Sequence, residues 1–396
     1  MTVAEAVDGL PRRMTTWSAA LSPPPNSATA ISVALGLCAA VWFSAGTRPG
    51  NVVGALALCG SYLSGRSARR LGRPAPGGAA ATPAVRAGRL ARACAVVTGC
   101  GVYAGLAAGS LAAGSLAASR IGGWQLATTV VVLVAVSQLA RACGQSSQAV
   151  PQRETPPGGL AWRALGFPYG GQVLLIAVAA PIWGTRAALF GLLGWAVIGT
   201  GYAVVAGRPQ RAGSTGARPV VACRDDGPVA SWLGRPVRGQ LVPLPPALTG
   251  LAAVCVLAAL GLRHVPGMLL LAPVVAMLLA AVGSSHRHDG RLDWIVPVVL
   301  QAGQYAYVAA IGFACAVPAP VVFALCALIA VHYADLAGHA PLHTALGWDG
   351  RMIAAGAGAA LGLATFAYLL LAAYLGVLIC REVMTGWPAA VEGDRR

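Results

Sequence analysis

All six histidines of this chain lie beyond residue 263, and four of its twelve acids fall between Asp289 and Asp349. Two segments carry them. One reads His286-Arg287-His288-Asp289-Gly290-Arg291-Leu292-Asp293-Trp294; the other runs from His332-Tyr333 through His339 and His343 to Gly347-Trp348-Asp349-Gly350-Arg351-Met352. These residue types support a phosphate chemistry. Asp289, Asp293 and Asp349 would surround a divalent cation (Mg or Mn), Arg291 and Arg351 would meet phosphate, and His332 would serve as acid or base. Asp289 and Asp293 stand four apart, so on a helix they share a face. The same residues also have a purely structural use. Aspartate at a helix start satisfies free backbone N–H groups, Trp294 and Trp348 suit a membrane interface, and arginine anchors its boundary. The sequence leaves both readings open.

A second constellation lies near the front of the chain: Ser61-x2-Ser64-Gly65-x2-Ala68-Arg69-x8-Gly78-x3-Thr82-x3-Arg86. On a helix, Ser61, Ser64, Gly65 and Ala68 would share one face. The spacing resembles the signature of the CDP-alcohol phosphatidyltransferases, Asp-x2-Asp-Gly-x2-Ala-Arg-x8-Gly-x3-Asp-x3-Asp. Gly65, Ala68, Arg69 and Gly78 match it as substrate-binding positions. Ser61, Ser64, Thr82 and Arg86 stand where the family places four metal-binding aspartates. In that family two metals clamp the pyrophosphate of the CDP-linked donor, and the last aspartate is taken as base on the acceptor alcohol. Neutral hydroxyls are poor ligands for Mg²⁺, and no Asp or Glu occurs between Asp8 and Glu154. No metal is therefore expected at Ser61, Ser64, Thr82 or Arg86. Thr82, preceding Pro83, reads more simply as a helix N-cap.

The C-terminal half resembles a domain of unknown function in actinobacterial membrane proteins, found behind a CDP-alcohol phosphatidyltransferase-like half. The resemblance lies in Gly290-Arg291-Leu292-Asp293-Trp294, His332-Tyr333, Gly347 to Met352, and Arg224-Asp225-Asp226-Gly227-Pro228. Gln304 and Ala334 depart from the pattern, which has an acid at each place. The resemblance implies a place in phospholipid or phosphoglycolipid biosynthesis, with a nucleotide-linked or polyprenyl phosphate ligand and a homodimer. Two functions, from different classes, stand against each other. One is a phosphotransferase-type activity on a lipid or nucleotide-linked substrate, residing in the second half. The other is a non-catalytic membrane scaffold, partner subunit or lipid carrier, a pseudoenzyme.

The elements that must position these residues are membrane helices. The chain is 57% hydrophobic and 10% charged, with a mean hydropathy of +0.69, which is not the composition of a soluble domain. Apolar runs long enough to cross a bilayer recur, without the two-residue alternation of a barrel. The expectation is an all-α polytopic protein of about eleven spans. They fall at 28–45, 51–63, 90–118, 122–139, 172–183 and 185–206, then 247–262, 267–284, 294–313, 320–332 and 352–380. This is a 6 + 5 arrangement: a first domain over 1–206, an Arg/Pro/Gly-rich cytoplasmic linker over 207–246, and a second domain over 247–396. Gly105-x3-Gly109 suits close helix packing.

The net charge of +16 comes without lysine. Its arginines lie between apolar runs rather than clustering with aromatics on a polar domain, so no nucleic-acid partner is expected. With the N-terminus in the cytoplasm of a plasma-membrane protein, the inside segments hold Arg12, Arg13, Arg66 to Arg92, Arg141, Arg153, Arg163, the linker, Arg287, Arg291 and Arg351. The outside receives Arg48, Arg120, Arg186 and Arg263, plus Arg381, Arg395 and Arg396 on the tail. That asymmetry follows the positive-inside rule, and the tail is its one weak point. The ten cysteines are scattered with no Cys-x2-Cys pair, as expected of small buried hydrophobes.

Overall fold

The computed structural model describes residues 25–71, 81–113, 122–146, 169–206, 225–235, 242, 244–259, 270–281, 293–336 and 346–386. Among these residues the chain is all-α, with no strand. The helices are α1 (Pro25–Ser44), α2 (Arg48–Leu71), α3 (Ala81–Ala112), α4 (Gly123–Ser146), α5 (Tyr169–Trp183), α6 (Thr185–Ala206) and α7 (Pro228–Gly234). They continue as α8 (Leu244–Ala259), α9 (Ala272–Ala281), α10 (Val296–Ala314), α11 (Ala319–Leu336), α12 (Trp348–Ala360) and α13 (Ala364–Gly386). Six of them carry windows long and apolar enough to cross a membrane: Ser27–Ser44, Ala93–Ala112, Gly123–Cys143, Thr185–Val205, Val296–Ala314 and Ala364–Arg381. Three shorter apolar helices, Tyr169–Trp183, Leu244–Val256 and Ala319–Ala334, accompany them.

The chain forms two compact units. The first comprises the described parts of Met1–Ala127, Tyr169–Leu192 and Leu378–Arg396. Here α1 packs on α2 and α3, and α2 packs on α5. The Gly105/Gly109 pair lets α3 lie backbone-to-backbone on α1. A Cβ at Gly105 would collide with the carbonyl oxygen of Ala40, and one at Gly109 with that of Phe43. Small residues at such spacing let helices approach where lipid offers no hydrophobic drive to associate. Polar groups complete the contact. Asn51 Nδ2 donates to Ala180 O at 3.0 Å, and the Tyr103 hydroxyl donates to Gln172 Oε1 at 2.7 Å.

The second unit comprises the described parts of Thr128–Pro168 and Leu193–Val377. Its core gathers Met277 of α9, Val299, Leu300 and Tyr307 of α10, and Trp348 and Met352 of α12, with Ala230 of α7 and Val254 of α8. Tyr307 and Tyr368 are fully buried with satisfied hydroxyls, donating to Leu270 O at 2.8 Å and to Val308 O at 2.5 Å.

The single span expected over 352–380 is two helices. α12 ends in a Schellman turn: Gly362 takes φ +74°, Leu363 N donates to Gly358 O, and Gly362 N donates to Ala359 O. Only glycine adopts that backbone without a steric penalty, which stops the helix inside an uninterrupted apolar run. α13 then returns along α12. A Cβ at Gly358 would meet the Ala367 side chain, and Leu346 N donates to the Tyr374 hydroxyl at 2.8 Å. The pair is an antiparallel helical hairpin.

Candidate functional site

The short helix α7 is where the second unit's polar residues meet. Pro228 opens it, supplying the fixed φ that suits a first helical position and no N–H to satisfy. The first free amides are capped by a side chain distant in sequence. Asp349 Oδ1 accepts from Gly227 N at 2.9 Å, and Oδ2 from Ala230 N at 2.8 Å. A carboxylate here answers both the orphan amides and the positive end of the helix dipole. The two segments also touch through their backbones, Trp348 N donating to Asp225 O at 3.0 Å. That approach needs glycine on both sides. A Cβ at Gly347 would strike Gly227 N and Asp225 O, and one at Gly227 would strike Asp349 Oδ1.

Asp225 and Asp226 are thereby fixed over the start of α12. Arg351 Nη2 donates to Asp225 Oδ2 and, at 3.2 Å, to the Tyr333 hydroxyl. The guanidinium also lies over the Tyr333 ring, 5.5 Å from its centroid. His332 Nε2 stands 3.6 Å from Asp225 Oδ2, beyond a hydrogen bond but close enough for charge to act. Trp348 Nε1 donates to Asp226 Oδ1 at 2.8 Å. Arg351 is 1% and Asp225 5% exposed. Burial alone would raise the Asp225 carboxyl, but Arg351 and His332 beside it outweigh burial and lower it to about 2. Asp225 is thus a paired carboxylate at neutral pH.

The pairing is incomplete on the cationic side. Arg351 Nε and Nη1, both ring nitrogens of His332, Gln304 Nε2 and both amide atoms of Gln301 are buried with no hydrogen-bond partner among the described residues. Gln301, Tyr333, Trp348, Asp225 and Asp226 line a small cavity here, with room for about one water.

In the first unit, Ser61 and Gly65 of α2 line a cleft with Ser32, Tyr62, Thr98 and Tyr169. Ser61 is buried and already engaged. Its hydroxyl donates to Ser32 O at 2.6 Å, while the Ser32 hydroxyl donates back to Ser61 O at 2.8 Å. This exchange joins α1 to α2 at the position where the resemblance would place an aspartate. Ser64, one turn along α2, is half-buried.

Of the other residues singled out on sequence, Ala68 and Arg69 lie near the C-terminal end of α2, and Thr82 and Arg86 near the start of α3, with their backbones alone described. Asp293 opens a 3-10 turn, Asp293–Ile295, that leads into α10. Asp289, Arg291 and Gly78 lie outside the described residues, as does most of the expected linker over 207–246. The structure brings His332, Asp349 and Arg351 to one place. The residue that organises them, Asp225, stood out in sequence only within the Arg224 to Pro228 segment of the resemblance, with no role attached, and Gln301 carried no signal at all.

Among the described residues no group of three or more His, Cys, Asp or Glu is arranged to hold a metal ion. No family model, curated protein or solved structure matches the chain.

Proposed function

We propose that this is a multi-pass membrane protein of CDP-alcohol phosphatidyltransferase-like descent that no longer transfers a phosphatidyl group at its first motif. It acts instead as a non-catalytic carrier or partner subunit for a phosphate-bearing lipid or nucleotide-linked ligand. The observation that carries this reading is the Ser61–Ser32 exchange. A group that should hold a metal is a neutral hydroxyl spent on joining two helices, and Mg²⁺ at such sites relies on carboxylates. The competing reading, a phosphotransferase housed in the second half around Asp289, Asp293 and His332, draws on the gathering of His332, Arg351 and Asp225. Against it, Asp349 and Asp225 are committed to Gly227, Ala230 and Arg351.

The finer topology belongs to the same proposal: a plasma-membrane protein with its N-terminus in the cytoplasm, and crossings grouped six plus five. The α12–α13 hairpin changes the last step. It adds a sixth crossing to the second group, an even count that would return the tail arginines to the arginine-rich side. A homodimer is part of the proposal on the resemblance alone.

Calorimetric titration of the purified chain with Mg²⁺ or Mn²⁺ and a CDP-linked lipid tests the functional reading, with Ser61→Asp/Ser64→Asp and Asp289→Ala alongside. Wild type is expected to show no metal-dependent binding. Metal-dependent binding that Asp289→Ala removes would establish the second-half enzyme instead.

A further inference from the structure

Arg351 is fully buried with less than half of its donors in use. Nη2 serves Asp225 and Tyr333, whereas Nε and Nη1 have no partner among the described residues. Gln304 Nε2, the Gln301 amide and the His332 ring are in the same condition, all on residues at most 2% exposed. Native interiors rarely leave polar groups unanswered, and those without a protein partner mark strain, a buried water or a site. Geometry joins these groups. The Tyr333 hydroxyl lies 3.2 Å from Arg351 Nη2 and 3.5 Å from Gln304 Oε1, and His332 lies beside Asp225. Gln301, Tyr333 and Asp225 line one cavity.

The excess is of donors. Arginine has five N–H groups and no acceptor, each glutamine amide adds two, and imidazole adds one or two. Against them stand the carboxylate of Asp225, that of Asp226, which Trp348 Nε1 engages, and the Gln301 Oε1. A ligand that answers this set must bring several acceptor oxygens around one negative centre, which describes a phosphate ester better than a second carboxylate.

We propose that the Asp225 carboxylate is a built-in stand-in for a phosphoryl group, and that a phosphate ester displaces it to bind Arg351, with Gln301, Gln304 and His332 completing the site. The cavity holds about one water while Asp225 is in place, so the ligand takes the carboxylate's position rather than lying beside it. The backbone of the segment does not depend on that side chain. Asp349 holds Gly227 and Ala230, and Trp348 N holds the Asp225 carbonyl. Displacement then requires only that the Asp225 side chain turn away from the guanidinium, with the backbone left in place. Once vacated, the positive charge of Arg351 is uncompensated, and an anion restores neutrality. The site includes no residue of the Ser61 cleft, and its test gives the same answer whether or not that cleft transfers anything.

The test is calorimetric titration of the full chain with inorganic phosphate in maltoside micelles, which carry no phosphate of their own. Wild type is compared with Asp225→Asn and with Asp225→Asn/Arg351→Gln. The double variant removes both charges and leaves no lone buried ion, so its folding is protected. Asp225→Asn is expected to bind phosphate at least about tenfold tighter than wild type, which is about 1.4 kcal/mol, and the double variant is expected to lose the gain. Equal or weaker binding by Asp225→Asn overturns the proposal, as does undiminished binding by the double variant. Acetate binding Asp225→Asn as tightly as phosphate overturns the phosphoryl assignment. Mixed micelles containing phosphatidate then identify the source within the proposal. Competition with phosphate assigns the site to a lipid headgroup, and its absence assigns it to a soluble phosphate ester.

Discussion

The carboxylate of Asp349 caps a helix whose N-cap, Gly227, lies 122 residues earlier in sequence, accepting from Gly227 N at 2.9 Å and from Ala230 N at 2.8 Å. Neither amide has another route to satisfaction inside α7. Asp349→Ala strips both at once in a buried setting and is expected to destabilise the protein by about 1–3 kcal/mol. Asp349→Asn keeps one oxygen and should cost less. Thermal unfolding of the two variants in detergent checks the order; equal stability of Asp349→Ala and wild type would contradict the capping role.

Backbone contact at the same junction makes its glycines intolerant. At Gly347 an added Cβ meets backbone atoms of Gly227 and Asp225, which cannot rotate away as a side chain can. Gly347→Ala should therefore cost more than Gly350→Ala, whose Cβ meets only the Leu346 side chain. The difference is expected to be about 1–3 kcal/mol, the usual cost of overpacking. Comparing the melting temperatures of the two single variants decides it.

In the first unit the same logic applies to α3 on α1. Gly109→Val should disrupt the contact at Phe43 O, whereas Gly194→Val, with nothing within 4 Å of its Cβ, should be close to neutral. Cysteine cross-linking between α1 and α3 in membranes, scored for each variant, would show the loss directly. Unchanged cross-linking in Gly109→Val would contradict the close approach.

The Asp225 carboxyl, pulled from 3.8 to about 2, gives the fold a pH dependence of known sign. A carboxyl lowered by folding contributes stability that is fully present above about pH 4 and is lost as pH falls through about 2. The pH-dependent part is about 2 kcal/mol. The margin of wild type over Asp225→Asn should thus be flat from pH 7 to about 4 and narrow below it. A margin that widens on acidification would contradict the pairing.

Much of the fold was legible because apolar runs bounded by arginine, proline and glycine are what a bilayer demands of a chain. The run at 185–206 coincides with α6, and 28–45 with α1 to within a few residues at either end. The break at Gly362 was hidden because it lies among Ala, Gly and Leu. Hydropathy does not register a left-handed backbone, and no polar residue marks the turn. The site was legible by halves. His332, Asp349 and Arg351 stood out as charged or titratable residues at span edges. Their partner Asp225 lies 126 residues from Arg351, in a stretch read as linker, and no local periodicity connects the two. Whether Asp349 served a metal or a helix end was likewise undecidable from type and spacing, since both uses require the same carboxylate.

The central claim is that the first motif no longer transfers a phosphatidyl group, and CMP release tests it most directly. Purified chain would be incubated with a CDP-linked lipid, an acceptor alcohol and Mg²⁺ or Mn²⁺, and free CMP would be measured over time for wild type and for Ser61→Ala. The account predicts no CMP above the protein-free background in either. Metal-dependent release by wild type, abolished in Ser61→Ala, would show that the Ser61 cleft is an active transferase site and would contradict it.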